Sequence, residues 1–578
     1  MKKTIQFVYD ACYKVCFFLV GIILVYMFMN SIFSTSLMRY QDEHTYFIKD
    51  FPLLMVAGLL FLIGILFIFK KHISKLFKNS LRWMSGITVF WLGLMLFWVI
   101  SADVEMVYDQ KSVYDGIRMF LQGDYSEWQQ GGYFYMYPLQ NGLLFMFMPI
   151  MKLCGEYTYE AVQVINILSI WLIAFGCYKL AKKYFSASVA FFSYIGVLMF
   201  IPLWGYVKFF YGNLIGLSLI VFSVYWMACF LEEPKQRYLV GSILCEFFAI
   251  IFKSNFSIFV IAMVIVLILQ GLKNKEIRYG FAGILLIMVM FIGMKGPAIL
   301  AGMITGCTTN QGVPTIKWIE LGLTESNTAP GWYSGDTFSW YAQNDYSVSQ
   351  AKESAYESIE KAMAVYDSDK WYGCRFFTRK FSSIWNNPTF ETFAIVIKGN
   401  TEGNLPYWIK DTIHNGGIIN TLLTIVLDVV QSIYLFGMVL YMVFCKKEKE
   451  LERAIPLIAL IGGVLFHMFW EGKCQYTIIY IPLLFPYAFN GYKQCVELLG
   501  EWFAREQGEK CNLQKVFARV GKTKGMKRFL AIFILVAVVE LWDNQLFTST
   551  VKLQADTSEY IEVCRVSNDW KEDSYVKE

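Results

Sequence analysis

Long apolar runs constrain this chain more than any other feature. Runs of roughly 17 to 25 residues recur along most of its length, and each is long enough to cross a hydrocarbon core of about 30 Å as an α-helix. Charged residues make up only 17% of the sequence, against about a quarter in soluble proteins. The sequence therefore predicts an all-α polytopic membrane protein. We expect about 13 transmembrane helices, near residues 12–34, 51–70, 84–101, 160–180, 185–203, 211–231, 239–253, 256–271, 279–296, 417–444, 455–470, 476–492 and 528–547.

The distribution of Lys and Arg predicts the orientation of these helices. Basic stretches such as "KKHISKLFKNSLR" and "GLKNKEIR" all fall on one side, which the positive-inside rule assigns to the cytoplasm. The other side then carries the first large loop, residues 102–159, an insertion at 297–416 and the tail at 548–578. The apolar segment 141–155 is too short to span, and we expect it to form a short helix at the outer interface.

We interpret the chain as one membrane domain with an outer insertion. Its parts are an N-terminal transmembrane region (1–296), which includes the loop 102–159, the extracytoplasmic insertion (297–416), a C-terminal transmembrane region (417–547) and an outer tail (548–578). Apolar residues at helical spacing predict one or two amphipathic helices at 345–386, whereas 306–341 has the composition of an irregular loop.

The net charge of +5 is explained by the cytoplasmic loops, so nucleic acid is not an expected partner. Cys307 and Cys374 share the insertion, which leaves one disulfide open.

The loop 102–159 combines acidic and aromatic residues directly after an apolar run. A helical reading of "DQKSVYDGIRMFL" places Asp109 at the edge of an apolar stripe and Asp115 away from it. The stripe comprises Val113, Gly116, Ile117 and Phe120. Asp109 would then lie in a partly desolvated cleft, where the basicity of a carboxylate is raised. The alternative is that Asp109 is only a helix N-cap.

The order of features in this loop resembles the first outer loop of GT-C superfamily glycosyltransferases, such as protein O-mannosyltransferases and lipid A aminoarabinose transferases. Those enzymes have an acid, an interfacial helix with Gly-Asp, then Tyr-Phe and a proline-containing turn. The matching positions are Asp109, Gly123, Asp124, Tyr133, Phe134, Tyr137 and Pro138. The resemblance implies a membrane enzyme that moves a sugar from a polyprenyl-phosphate donor to a glycan, lipid or protein acceptor on the extracytoplasmic side of a plasma membrane, a bacterial one by our reading. Asp109 would be the general base, and the anomeric configuration would be inverted.

A departing phosphate needs positive charge or N–H donors, so we sought cations at the predicted outer ends of spans. Lys253 in "AIIFKSNFSIF" is one candidate, although a snorkelling interfacial lysine is the alternative. Lys473 would contact the donor phosphate or the sugar, and Glu471 a sugar hydroxyl, unless they form only an ion pair in a turn. Lys208 is a further phosphate contact. The remaining predicted substrate contacts, from the floor of the cleft, are Tyr133, Tyr137 and Gln140.

No metal-ligand spacing is present, so no cofactor is expected, although a divalent cation bridging Asp109 and the phosphate is left open.

A second class of function also suits a chain with many spans. A transporter, or a flippase or polymerase of lipid-linked glycans, would use acids inside the spans, here Glu246, Asp428 and Glu540. Glu246 would pair with a polar neighbour such as His467, or be protonated and structural. Against transport, the spans lack matched Gly/Pro-broken helices in two halves.

Overall fold

The computed structural model describes the chain except for residues 1, 41–42, 77–79, 308–311, 401–402, 404, 445–450, 507–526, 528–529, 535 and 538–578. In these parts the chain is almost entirely helical. The α-helices are α1 Lys2–Phe33, α2 Pro52–Leu76, α3 Ser80–Ser101, α4 Asp109–Gln122, α5 Tyr133–Met136, α6 Asn141–Cys154, α7 Thr158–Tyr184, α8 Ala187–Leu198, α9 Pro202–Gly205, α10 Asn213–Glu232, α11 Gln236–Phe252, α12 Ser257–Asn274, α13 Ile277–Thr305, α14 Thr315–Leu323, α15 Gly335–Gln343, α16 Val348–Ser368, α17 Lys370–Trp385, α18 Ala394–Lys398, α19 Tyr407–Ile413, α20 Ile418–Phe444, α21 Ile455–Phe469 and α22 Ile481–Glu506.

The predicted class, an all-α polytopic membrane protein, is confirmed. A helix lies at every predicted span up to residue 492, and the predicted span 528–547 falls largely outside the described residues. Within the described ranges, 8 helices are long and apolar enough to cross a membrane, or up to 9 if a pair bent by 47° between residues 187 and 208 forms one span. The predicted number of 13 is therefore not confirmed. The tail at 548–578 also lies outside the described residues.

Small residues allow the long helices to approach closely. A Cβ atom on Gly491 of α22 would lie 2.0 Å from the Gly437 carbonyl oxygen of α20, so neither backbone leaves room for a side chain at this crossing. A Cβ on Gly176 of α7 would lie 2.4 Å from Val221 of α10. Close backbone approach at glycine is a usual way to pack helices that gain little from burying apolar surface in a lipid environment.

A short antiparallel hairpin joins α1 to α2 and was not predicted. Its strands, β1 (Ser34–Met38) and β2 (Thr45–Lys49), pair with Ser34 opposite Lys49 and Met38 opposite Thr45. The hairpin is attached to the insertion: the Ser36 N–H donates to the Asn386 carbonyl (3.2 Å), and the Thr45 N–H donates to the Thr328 carbonyl (2.9 Å).

The insertion is more regular than its composition suggests. The amphipathic helices predicted at 345–386 are present as α16 and α17, which confirms that prediction. The prediction of an irregular loop at 306–341 was wrong, because α14 and α15 form there; residues such as Lys317 and Glu320, which pair at 2.7 Å one turn apart, support the first of them. Cys307 and Cys374 are both free, so the disulfide left open above is not formed.

The insertion, the β1–β2 hairpin and the loop 102–159 meet at one end of the helical bundle. The α21–α22 connection reaches the same end, because the Glu471 N–H donates to the Trp318 carbonyl (2.9 Å) and the Gly472 N–H to the Gly331 carbonyl (3.0 Å). The α11–α12 connection lies beside it, since the Lys253 ammonium is 5.0 Å from the centre of the Tyr476 ring. We refer to this end, which carries residues 102–159, as the loop face.

Candidate active site

Helix α4 carries the candidate base and packs on its predicted stripe. Val113, Gly116 and Ile117 are buried, as the helical reading of the sequence indicated. A Cβ atom on Gly116 would lie 2.2 Å from Phe134, so the absence of a side chain at this position lets the aromatic ring lie against the helix. The helix ends at Gly123, whose φ of 79° closes it in the left-handed conformation that glycine adopts readily.

Aromatic packing fixes the segment that follows α4. The rings of Trp128 and Phe134 stack with centroids 4.6 Å apart and an interplanar angle of 4°, and the Trp128 indole N–H donates to the Asn141 side-chain oxygen (2.8 Å). The Asp124 carboxylate accepts from the Ser126 N–H (3.0 Å), so Asp124 serves a local turn. The predicted cleft floor is thus a packed unit that links α4 to α6.

Asp109 is the first residue of α4, but it does not cap the helix. The N-cap position is Tyr108, and no side chain there makes a capping hydrogen bond. The N-cap alternative for Asp109 was therefore wrong. The Asp109 side chain is solvent-accessible, yet burial by the surrounding protein raises the pKa of its carboxyl, while Tyr133, Lys473 and Lys253 act in the opposite direction. Accessibility together with a raised pKa is the behaviour of a carboxylate that lines a cleft.

The three predicted cleft-floor residues lie near this carboxylate. The Tyr133 and Tyr137 rings are 5.2 Å apart, and the negative charge of Asp109 contributes to raising the pKa of both phenols, although burial is the larger cause. The Tyr133 hydroxyl is buried beside Asp109 and interacts with its carboxyl. Gln140 donates to the Tyr211 hydroxyl, and the negative charge of Asp109 contributes to raising the pKa of Tyr211. These residues thus place polar groups beside the candidate base.

Lys253 lies in the connection between α11 and α12 and approaches Asp109. Its ammonium group donates to the Asn213 side-chain oxygen (2.9 Å) and lies 5.0 Å from the centre of the Tyr476 ring. Burial lowers the pKa of Lys253 to about 8, although Glu471, among other carboxylates, opposes this effect. Its ammonium group is therefore held by protein groups, which favours a role in the site over the interfacial alternative.

Lys473 takes part in an ion-pair network centred on Glu43. The Glu43 carboxylate pairs with the ammonium groups of both Lys473 and Lys398, one on each oxygen. Burial alone would raise the pKa of Glu43, but the two lysines outweigh burial and lower it to about 2. For Lys473, burial is in turn outweighed by Glu43 and Glu391, so its pKa is raised and it stays protonated. The Lys398 ammonium also lies 5.4 Å from the centre of the Tyr108 ring, next to Asp109.

Two further carboxylates line the same region. Glu391 accepts from the Cys474 thiol (3.2 Å) and the Gln475 N–H (3.4 Å), so it holds the start of the connection to α22. Glu471 accepts from the Tyr476 hydroxyl (3.4 Å), and burial raises its pKa to about 7. The predicted ion pair between Glu471 and Lys473 is not formed, because Lys473 pairs with Glu43 instead.

Lys380 fixes the connection from the other side. Its ammonium group is fully buried and donates to the carbonyls of Gly322, Met468 (3.1 Å) and Trp470 (2.9 Å). Two of these carbonyls belong to the end of α21, where backbone acceptors lack partners within the helix. Lys380 therefore positions the segment that carries Glu471 and Lys473.

Other predicted residues are not brought into this group. The Lys208 ammonium donates to the Val99 carbonyl at the end of α3 (2.7 Å), so the structure gives no support to a phosphate contact. Glu246 and His467 are both buried, and the pairing suggested for them is not formed. Glu540 lies outside the described residues.

Sequence reasoning missed Glu43, Lys398, Glu391 and Lys380. All four fall in segments that the charge distribution had already assigned to the same side as Asp109, and that location was the only signal available. Within the described residues, no group of three or more His, Cys, Asp or Glu side chains is arranged to hold a metal ion. The divalent cation left open above therefore gains no supporting ligand set.

Comparisons with known proteins agree with the resemblance to glycosyltransferases that the loop 102–159 indicated. Residues 143–294 match the family model described as dolichyl-phosphate-mannose-protein mannosyltransferase. Among solved structures, the crystal structure of ArnT from Cupriavidus metallidurans bound to undecaprenyl phosphate matches with 13% identity and a TM-score of 0.31, over 79% of this chain and 89% of that chain. No curated protein sequence matches significantly. The structural likeness is weak, whereas the family match confirms the predicted resemblance to GT-C enzymes.

Proposed function

We propose that this chain, a membrane glycosyltransferase of the GT-C type, transfers a sugar from a polyprenyl-phosphate donor to an acceptor hydroxyl, with Asp109 as the general base. The observation that carries the proposal is the surroundings of Asp109. Its carboxylate is accessible and free of any capping bond, and both Lys473 and Lys253 are close enough to act on its pKa. A base beside two cations is the arrangement that attack on a sugar phosphate requires.

The reaction follows from these positions. The acceptor oxygen attacks the anomeric carbon and gives its proton to the Asp109 carboxylate, while the bond from that carbon to the phosphate oxygen breaks. Attack from the face opposite the phosphate inverts the anomeric configuration. A carboxyl with a raised pKa is a better proton acceptor than an ordinary aspartate.

The leaving phosphate would be stabilised by ammonium groups. Lys473 remains protonated because Glu43 and Glu391 raise its pKa, and Lys253 is protonated below about pH 8. Charge-assisted hydrogen bonds to phosphate oxygens are stronger than neutral ones, so both lysines favour departure of the lipid phosphate.

Sugar hydroxyls would be bound by the polar groups beside the base. The Tyr133 hydroxyl, which lies beside the Asp109 carboxyl, and the Glu471 carboxyl, which accepts a long bond from Tyr476, would take this role. Tyr137 and Gln140 complete the floor of the cleft. The acceptor would be a surface glycan, lipid or protein.

The matching family model supports a donor of this class, since its description names dolichyl-phosphate-mannose, a polyprenyl-phosphate sugar. The distribution of basic residues supports a loop face on the extracytoplasmic side of the membrane. The site then lies at the depth of lipid headgroups, where the phosphate of such a donor resides.

The proposal is tested with vesicles that contain the full chain and a radiolabelled polyprenyl-phosphate sugar. We expect Asp109→Asn to abolish transfer, whereas Asp115→Asn on the same helix leaves it intact. Asp115 is a matched control because it lies about 120° around α4 from Asp109 and lines a pocket with Ser112 and Glu127. Normal transfer by Asp109→Asn would remove Asp109 from the role of base.

A further inference from the structure

The two lysines around Glu43 are already neutralised in the ligand-free protein. One carboxylate oxygen of Glu43 pairs with Lys398, which lies in the insertion, and the other with Lys473, which lies between α21 and α22. A single carboxylate thus bridges two ammonium groups from distant parts of the chain. Phosphate oxygens bind pairs of cations in the same bridging manner.

Glu43 is not sealed into this position. Its side chain is 21% exposed, and those of Lys398 and Lys473 are 17% and 11% exposed, so the ion pairs border the accessible cleft. Glu43 also has a φ of 59°, in the left-handed region that a residue with a Cβ atom rarely adopts. Contacts at the side chain, not a preference of the backbone, therefore favour this conformation.

The β1–β2 hairpin can hold its place without Glu43. The Tyr40 N–H donates to the Asn415 side chain (3.0 Å), whose amide donates back to the Met38 carbonyl (3.0 Å), and the Thr45 N–H donates to the Thr328 carbonyl. These bonds flank Glu43 on both sides along the chain. Movement of the carboxylate away from the lysines therefore does not require the hairpin to leave the insertion.

An arriving phosphate would meet Glu43 as a competing anion. Glu43 and Lys473 are close enough to Asp109 and Glu391 to affect the pKa values of both carboxyls, so the region already contains several acidic groups. A phosphate added beside an ionised Glu43 would face like charge at short range, which is unfavourable where the surroundings are poorly solvated.

We infer that Glu43 is a placeholder for the donor phosphate: it holds Lys398 and Lys473 in position in the empty enzyme and is displaced by a phosphate group when the donor binds. This inference rests on the proposed function and adds a positioning residue to it, together with Lys398 as a second cation of the phosphate site. When a carboxylate occupies a phosphate-binding site, the apparent affinity for phosphate equals the intrinsic affinity multiplied by the fraction of molecules in which the carboxylate has moved away.

The inference predicts that removal of the carboxylate charge tightens phosphate binding. We expect Glu43→Gln in the full detergent-solubilised chain to bind radiolabelled undecaprenyl phosphate at least about threefold more tightly than the unaltered protein, because no ion pair has to be broken. Glu325→Gln is the matched control, since Glu325 forms an ion pair with Arg379 (2.7 Å) elsewhere in the insertion and should leave affinity unchanged.

The result distinguishes the inference from a structural role and from the proposed function. If Glu43 only supports the site, or if it contacts the substrate, its substitution should weaken binding of undecaprenyl phosphate. Unchanged or weaker binding by Glu43→Gln therefore overturns the inference. If the unaltered protein neither binds undecaprenyl phosphate nor transfers sugar, the proposed function itself fails. Binding by the unaltered protein with no gain in the variant overturns the inference alone.

Two additions complete the test. Competition by inorganic phosphate shows whether the phosphate group alone displaces Glu43 or only a lipid headgroup does, because the first case gives the same gain for both ligands. If Glu43→Gln is not recovered folded, Glu43→Ala serves in its place. It also removes the carboxylate that competes with phosphate, so the same direction of change is expected.

Discussion

Lys473 pairs with Glu43, although 430 positions separate the two residues in the chain. The pair joins the connection before α22 to the tip of the β1–β2 hairpin, next to the cleft that Asp109 lines. A lysine proposed to bind a phosphate is thereby kept charged and correctly placed before any ligand arrives.

Donor binding should weaken at alkaline pH because of Lys253. Burial lowers the pKa of its ammonium group to about 8, so the charge that binds phosphate is present below that pH and is lost above it. We expect the KM for the donor to rise above about pH 8. Lys473 does not contribute to this rise in KM, since its pKa is raised and it stays protonated.

Lys253→Arg provides the control for that assignment, because a guanidinium group remains protonated throughout the accessible pH range. The alkaline rise in KM should disappear in this variant. Persistence of the rise in Lys253→Arg would assign it to another group, such as Lys380, whose pKa is lowered by burial to about 7.

Loss of the Lys380 ammonium group should destabilise the protein. Lys380→Met keeps an apolar side chain of similar length but leaves the carbonyls of Gly322, Met468 and Trp470 without their buried donor. We expect a loss on the order of 3 kcal/mol, since buried acceptors without partners are costly, and a lower Tm in detergent. Lys361→Met is the control, because Lys361 is 80% exposed on α16. Equal Tm values for the two variants would contradict the role given to Lys380.

Cys374 can report which side of the membrane carries the loop face. It is exposed, free and located in the insertion. We expect a membrane-impermeant maleimide to label it in intact cells, with Cys374→Ser as the control for specificity. Labelling of Cys374 only after permeabilisation would invert the predicted orientation.

The sequence was informative where a pattern is local. The stripe of Val113, Gly116 and Ile117 predicted both the existence of α4 and the face that it buries, because helical periodicity depends only on neighbours in the chain. The amphipathic pattern of α16 and α17 succeeded for the same reason. The N-cap alternative for Asp109 failed by one position, which is within the usual uncertainty of a helix boundary.

The sequence was uninformative where partners are distant. Nothing in the residues around Glu43 indicates two lysines that lie hundreds of positions away, and the fully buried Lys380 looks, in sequence, like one more charge on an amphipathic helix. Glu471 and Lys473, two positions apart, suggested an ion pair with each other. In the fold each finds another partner, Tyr476 and Glu43 respectively, because tertiary packing decides which groups meet.

If Asp109 acts in the chemical step, its carboxylate is needed for transfer but not for donor binding. Donor-dependent sugar transfer and undecaprenyl phosphate binding are therefore measured on the same preparation of Asp109→Asn, with Asp115→Asn beside it. We expect Asp109→Asn to bind the lipid phosphate with an affinity similar to that of the unaltered protein but to transfer no sugar, while Asp115→Asn does both. Sugar transfer by Asp109→Asn at the normal rate would show that Asp109 is not the base.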